Sequence, residues 1–213
     1  MVYVGSEDGR LYALDAATGQ EKWSFKTDGE VYSSPAVAGG MVYVGSWDGR
    51  LYALDAETGQ EKWRFKTDGE VVSSPAVAGG MVYVGSGDGR LYALDAETGQ
   101  EKWRFKTDYG VGSSPAVAGG VVYVGSLDNW LYALDTRTGQ EKWRFKTDDD
   151  VVSSPAVAGG MVYVGSLDNW LYALDARTGQ EKWSFKTGSQ VLSSPAVAEI
   201  GRSSCRERVL LRV

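Results

Sequence analysis

The sequence predicts an all-β fold, a β-propeller of four-stranded antiparallel blades with five blade equivalents. Three observations carry that reading. A unit of 40 residues recurs with few changes from Met1, Met41, Met81, Val121 and Met161, and a fixed period of this length marks a repeat architecture. Each unit holds four short runs loaded with Tyr, Val, Trp and Phe, with Gly and Asp between them. The VYVGS and LYALD runs are apolar on both faces, Val2 and Val4 against Tyr3, Leu11 and Ala13 against Tyr12 and Leu14. A sheet of that kind needs cover on both sides, which radially stacked blades supply.

Within a unit, VYVGS and LYALD flank Asp8-Gly9, a sequence suited to a two-residue type I′ hairpin. Thr18-Gly19-Gln20 makes a second tight turn before EKWSFKT. A short acidic loop leads to SSPAVA, with Pro35 at the strand's start, where a missing N–H costs little. Gly39-Gly40 then turns the chain into the next unit. No window shows helical periodicity. By this count the chain opens on the second strand of a blade, and residues 193–198 repeat a first strand. Residues 1–27 supply three strands, and 191–198 supply the fourth if the ring closes and so abolishes its edges. The alternative is an open arc, whose ends are available to further blades, a partner chain or self-association.

The segment Ala13-x-Asp15-x-x-Thr18-Gly19-x-x-x-Trp23 resembles the tryptophan-docking motif of the pyrroloquinoline-quinone-like (PQQ-like) propellers. It returns with Asp55 and Trp63, Asp95 and Trp103, Asp135 and Trp143, and Asp175 and Trp183. The resemblance covers residues 1–198. It implies that each Trp packs on its own blade's Ala and on a neighbouring blade's Thr-Gly peptide. A Trp buries about 200 Å² and its N–H needs a partner, so such residues form a girdle and not a ligand site. The resemblance further implies a full ring of seven or eight blades and an exported protein of the periplasm or cell surface. Its relatives include outer-membrane assembly lipoproteins and surface proteins, and also quinone-dependent dehydrogenases.

Composition narrows the chemistry. The net charge is −6 and there is no His, which argues against a nucleic-acid partner and removes the commonest general base and metal ligand. Cys205 stands alone, so neither a disulfide framework nor the adjacent-cysteine pair of the alcohol-oxidising relatives is present. No run is long and apolar enough to span a membrane, and no signal-peptide pattern opens the sequence. The turn aspartates Asp8, Asp48, Asp88, Asp128 and Asp168 read as backbone-bonding turn residues in preference to calcium ligands. The acidic residues repeat blade by blade, whereas an active site needs asymmetry. The sequence therefore predicts no catalytic residue, cofactor or metal, and a scaffold that binds a protein or peptide. A fragment of a PQQ-dependent dehydrogenase and a purely structural array are the alternatives.

Residues 199–213, EIGRSSCRERVLLRV, share nothing with the repeat. They resemble the in-frame translation of a sequencing adapter, EIGRASCRERV, departing from it at Ser203 and after Val209. This predicts a non-protein tail on a piece of a longer exported repeat protein. The tail carries four Arg against two Glu, leaving the repeats at −8.

The units differ from one another mainly at the first hairpin turn and in the acidic loop, two connections at the same end of a four-stranded blade. Binding residues tend to sit on loops held by a rigid scaffold; drift in solvent loops after recent duplication gives the same pattern. The candidate partner-binding residues on that face are Trp47, Trp130, Trp170, Tyr32, Tyr109, Asp148, Asp149 and Asp150. Trp130 and Trp170, in consecutive units, are expected to form an exposed apolar patch.

Overall fold

The computed structural model describes residues 1–198, and the expectation for the 199–213 tail lies outside the described residues. All regular structure there is β. The first sheet has three strands, β1 (Val2–Gly5), β2 (Arg10–Leu14) and β3 (Glu21–Lys26). The second runs β4 (Ala36–Ala38), β5 (Met41–Ser46), β6 (Arg50–Asp55) and β7 (Glu61–Lys66). The third is β8 (Ala76–Ala78), β9 (Met81–Ser86), β10 (Arg90–Asp95) and β11 (Glu101–Lys106). Next come β12 (Ala116–Ala118), β13 (Val121–Gly125), β14 (Trp130–Asp135) and β15 (Glu141–Lys146). The last is β16 (Ala156–Ala158), β17 (Met161–Gly165), β18 (Trp170–Asp175) and β19 (Glu181–Lys186). Each sheet is a simple antiparallel meander, and the short strands β4, β8, β12 and β16 lie side by side in succession. This is the propeller arrangement the repeat predicts.

The core lies between blades, not within them. From the first blade come Leu11, Val31, Tyr3, Trp23 and Phe25; from the second, Val42, Val44, Tyr52, Leu54 and Ala56. The same set recurs at each of the next three joints. Phe25 meets Tyr52 edge-on with ring centroids 5.3 Å apart, the orientation that the ring quadrupoles favour.

Two local expectations are corrected. The first hairpin is not a two-residue type I′ turn. Gly9 N–H donates to Ser6 O, and only Gly9 (φ 76°) enters the left-handed region. That is a three-residue loop, a turn followed by a left-handed residue. Asp8 stays outside the left-handed region, and its carboxylate accepts the Arg10 N–H. Asn129 (φ 70°) and Asn169 (φ 75°) take the glycine's place in the last two blades, since Asn tolerates this conformation. The SSPAVA strand also shrinks to its Ala-Val-Ala core. Its serines serve other bonds: Ser33 Oγ accepts the Gly45 N–H, and the Ser34 N–H donates to Ser74 Oγ in the next blade.

The closing strand is the third difference. Residues 193–198 form no strand, and β1 has no partner on its inner edge, where β4 flanks β5 in the next sheet. Closing five blades into a ring needs about 72° of rotation at each joint. The joint is packed with aromatic side chains and recurs four times with equivalent core residues, and no such joint links the last sheet to the first among the described residues.

Candidate binding face

The hairpin turn of each blade and the acidic loop of the preceding blade meet at one end of every joint. Asp48 organises the first such meeting. Its Oδ1 accepts the Arg50 N–H, and its Oδ2 accepts the Asp28 N–H across the joint (3.0 Å) and the Tyr52 hydroxyl (2.6 Å). Burial, then the bond to Asp48, pushes the Tyr52 phenol up to about 12. Asp88, Asp128 and Asp168 repeat these Oδ2 bonds with Asp68 and Tyr92, Asp108 and Tyr132, Asp148 and Tyr172. Asp48, Asp128 and Asp168 thus have both oxygens committed to backbone N–H groups and a phenol, the structural role expected of them, whereas Asp88 Oδ1 is buried without a hydrogen-bond partner among the described residues.

What the joints do not share is a cation. Arg50 reaches Asp28 (3.0 Å) and Asp48 (3.4 Å), and Arg90 reaches Asp68 and Asp88 (both 3.3 Å). In the fourth and fifth blades Trp130 and Trp170 stand at the arginine's position. Among the described residues Asp108, Asp128, Asp148 and Asp168 then have no ion pair. The lost arginine is not among the candidate residues named from the sequence. The signal was there, as Asp-Gly-Arg in three units against Asp-Asn-Trp in two.

The sequence-predicted residues fall into three groups. Tyr32 and Trp47 are exposed and packed edge to face at 5.3 Å across the first joint. Tyr109 is 66% exposed beside the turn that carries Leu127 and Trp130, with the Leu127 N–H donating to Gly110 O. Asp148, Asp149 and Asp150 line the next joint beside Trp170. There Ser166 Oγ donates to Asp149 O and Asp150 O, and the Leu167 N–H to Asp150 O. Burial, then the charges of Asp149 and Asp128, raises the Asp150 carboxyl above its ordinary value. The expected pair of exposed tryptophans is corrected, because Trp130 and Trp170 are half-buried. Cations on the neighbouring outer strand cover them. Arg144 lies 4.4 Å and Lys146 4.9 Å from the Trp130 ring centre, and Lys186 lies 5.8 Å from that of Trp170. The ring quadrupole attracts such cations.

The five repeated tryptophans lie away from this face. Trp23 pairs with Ala13 across the β2–β3 ladder, and its Nε1 donates to Ala56 O in the next blade (3.2 Å). Tyr3 donates to the same carbonyl, and the Trp23 ring lies so close to Gly59 that a β-carbon there would sit 2.6 Å from it. Trp63, Trp103 and Trp143 repeat the bond to Ala96, Thr136 and Ala176. The Trp ring thus packs on the glycine of the neighbouring Thr-Gly turn, and its Nε1 acceptor is the carbonyl two residues before the Thr. Asp15 builds the Thr-Gly turn of the first blade, which no tryptophan covers, its Oδ1 accepting the Ala17 N–H, the Thr18 N–H and the Thr18 hydroxyl. Asp55, Asp95, Asp135 and Asp175 do the same in their turns.

A radial array of four-stranded meanders around short inner strands defines a β-propeller. The sequence model described as "Outer membrane protein assembly factor BamB" matches residues 1–66, 42–111 and 103–211, so the chain belongs to that family of PQQ-like repeats. No curated protein matches the sequence. Among solved structures the chain is similar to BamB from Moraxella catarrhalis, with TM-score 0.79 and 22% identity over 90% of this chain and 62% of that one. It is also similar to Saccharomyces cerevisiae Sqt1, with TM-score 0.81 and 17% identity over 95% and 62%. A third likeness is to the quinohemoprotein alcohol dehydrogenase ADHIIG from Pseudomonas putida HK5, with TM-score 0.74 and 23% identity over 86% and 40%. The chain therefore spans about three fifths of the first two relatives. At these identities the likeness establishes the fold. No helix among the described residues is long and apolar enough to cross a membrane.

Proposed function

We propose that this chain is a non-catalytic scaffold that captures a protein or peptide on the turn face of its third to fifth blades. One observation carries the reading: in the last two blades the arginine that neutralises the joint carboxylates is exchanged for Trp130 or Trp170. The exchange leaves aromatic surface beside carboxylates at Asp108 and Asp148–Asp150 that form no ion pair among the described residues. Such a surface suits an extended segment with apolar anchors and Lys or Arg at its rims. Aromatic groups supply affinity, and the carboxylates steer encounter. The repeated tryptophans act as the girdle that holds the face in shape. Membership of the BamB family supports a protein partner and a place in the periplasm or at the cell surface. The likeness to an alcohol dehydrogenase carries the fold alone, and the repeated, blade-by-blade placement of the acidic residues argues against a unique reaction centre.

A display library of extended peptides tests the proposal. Enriched binders should combine apolar with basic residues. Trp130→Ala with Trp170→Ala should abolish their capture while leaving the melting transition in place. Neutralising Asp148, Asp149 and Asp150 to Asn should slow association at low salt and change little at high salt. Binders retained equally by all three chains would overturn the assignment.

A further inference from the structure

We propose that the two ends of the arc join head to tail between copies of this chain, the last blade of one molecule docking on the first blade of the next and donating residues 196–198 as its missing inner strand. The template is inside the molecule, four times over. At each internal joint a Trp and a Tyr from one blade donate to one carbonyl of the next, and the Trp ring covers that blade's turn glycine. The last blade presents the donor half. Trp183 is 45% exposed, Phe185 is exposed, and Trp183 Nε1 and Tyr163 Oη have no counterpart acceptor among the described residues. The first blade presents the acceptor half. Ala16 O is the equivalent carbonyl, and nothing lies within 4 Å of a β-carbon placed on Gly19, whereas Gly59, Gly99, Gly139 and Gly179 each meet a tryptophan.

The apolar halves match as well. Val2 and Val4 are 49% and 45% exposed, while their equivalents Val42 and Val44 are fully buried in the internal joint. The strand register transposes without change: Ala36↔Tyr43, Val37↔Val42 and Ala38↔Met41 become Ala196↔Tyr3, Val197↔Val2 and Ala198↔Met1. The Gly5 N–H then finds Ser193 Oγ as Gly45 finds Ser33, and the Asp8 carboxylate finds the Gly188 N–H as Asp48 finds Asp28. The first blade of the same molecule is out of reach. Val2, Val4, Trp183 and Phe185 all stay exposed and β1 pairs with no strand of the last sheet, so the two end blades of one molecule do not meet. Because the two surfaces differ, the contact is heterologous, and successive copies add without closing a dimer.

Sedimentation of the 213-residue chain over a wide concentration range tests this. The average mass should climb above 23.0 kDa with concentration. Val4→Glu spoils the first-blade face and Phe185→Glu the last-blade face, both at exposed positions that leave each monomer's fold intact, as circular dichroism will check. Each variant alone should stay monomeric, and an equal mixture should form one joint and stop at a dimer. In a Cys205→Ser background, a chain carrying both Val2→Cys and Val197→Cys should form disulfides between molecules. A monomer at every concentration overturns the proposal, as does association of either variant at the wild-type level, or a disulfide that links the two introduced cysteines within one molecule. The Trp130→Ala, Trp170→Ala chain should associate as the wild type does, which keeps this test separate from that of the peptide-binding face.

Discussion

Trp103 and Trp183 occupy the same position in the repeat and differ only in what stands opposite. Trp103 is 9% exposed, with its ring against Gly139 and its Nε1 on Thr136 O; Trp183 is 45% exposed. Replacing Trp103 with Ala removes a buried ring and leaves a cavity that the flanking β-strands can only partly collapse. That should cost about 3–5 kcal/mol. The same change at Trp183 in a monomeric sample should stay within about 1 kcal/mol, as surface substitutions do. Denaturant midpoints of the two variants, taken at a concentration where the chain is monomeric, measure the contrast. Equal losses would mean that the cost resides in the blade and not in the joint. One motif gives all five tryptophans one role in the sequence. What it could not supply was the neighbour, which is a property of the stack.

At the scale of the turn, the Asp-Thr-Gly hairpins make a prediction about acid. The Asp15 and Asp95 carboxyls are held down to about 2, chiefly by the Thr18 and Thr98 N–H groups, and Asp135 to about 2, chiefly by Lys142. Asp55 and Asp175 are lowered for the same kind of reason, by Thr58 and Thr178. A carboxyl whose folded value lies below its unfolded one stabilises the fold above the unfolded value of about 4, and that contribution is lost as the pH falls toward the folded value. Denaturant midpoints should therefore drop between about pH 4 and pH 2 as these turns protonate, and Asp95→Asn should remove part of that drop. A midpoint as high at about pH 2.5 as at about pH 6 would rule the turns out as the acid-sensitive element. Blade count, strand order and the turn positions were legible in the sequence, because a 40-residue period with Gly and Asp at fixed offsets leaves one way to cover a two-faced apolar sheet. The type of the first hairpin was not. Asp8-Gly9 suits a type I′ turn as well as a three-residue loop, and the structure takes the loop, with the Gly9 N–H on Ser6 O. On the face, the variable positions could be read from the repeats. That Arg144 and Lys146 would cap Trp130 could not, since β14 and β15 bring them together across a ladder.

For the whole molecule the governing quantity is the angle between blades. In a stack where each unit touches only its neighbours, stability is a sum of unit and joint contributions. Four joints are present, built from equivalent core residues, and a ring of eight, the larger count that the PQQ-like resemblance implies, needs about 45° per joint. Chains carrying five, six, seven, eight and nine copies of the unit should then show a simple pattern, measured at concentrations low enough to keep them monomeric. Each added unit up to seven contributes one more joint and one similar increment in unfolding free energy. The eighth contributes two joints, because its Trp reaches the first blade's Ala16 carbonyl and its trailing Ala-Val-Ala pairs with β1. That chain should show an extra step in stability of about the size of one joint, and it should lose the tendency to associate, since no free blade face remains. A ninth unit has no place in the ring and should restore association without a further double step. Denaturant melts give the increments and sedimentation gives the mass. A strictly linear rise through nine units would mean that the joints curve less than the relatives do, and a double step at five would mean that residues 193–198 reach β1 of their own chain after all.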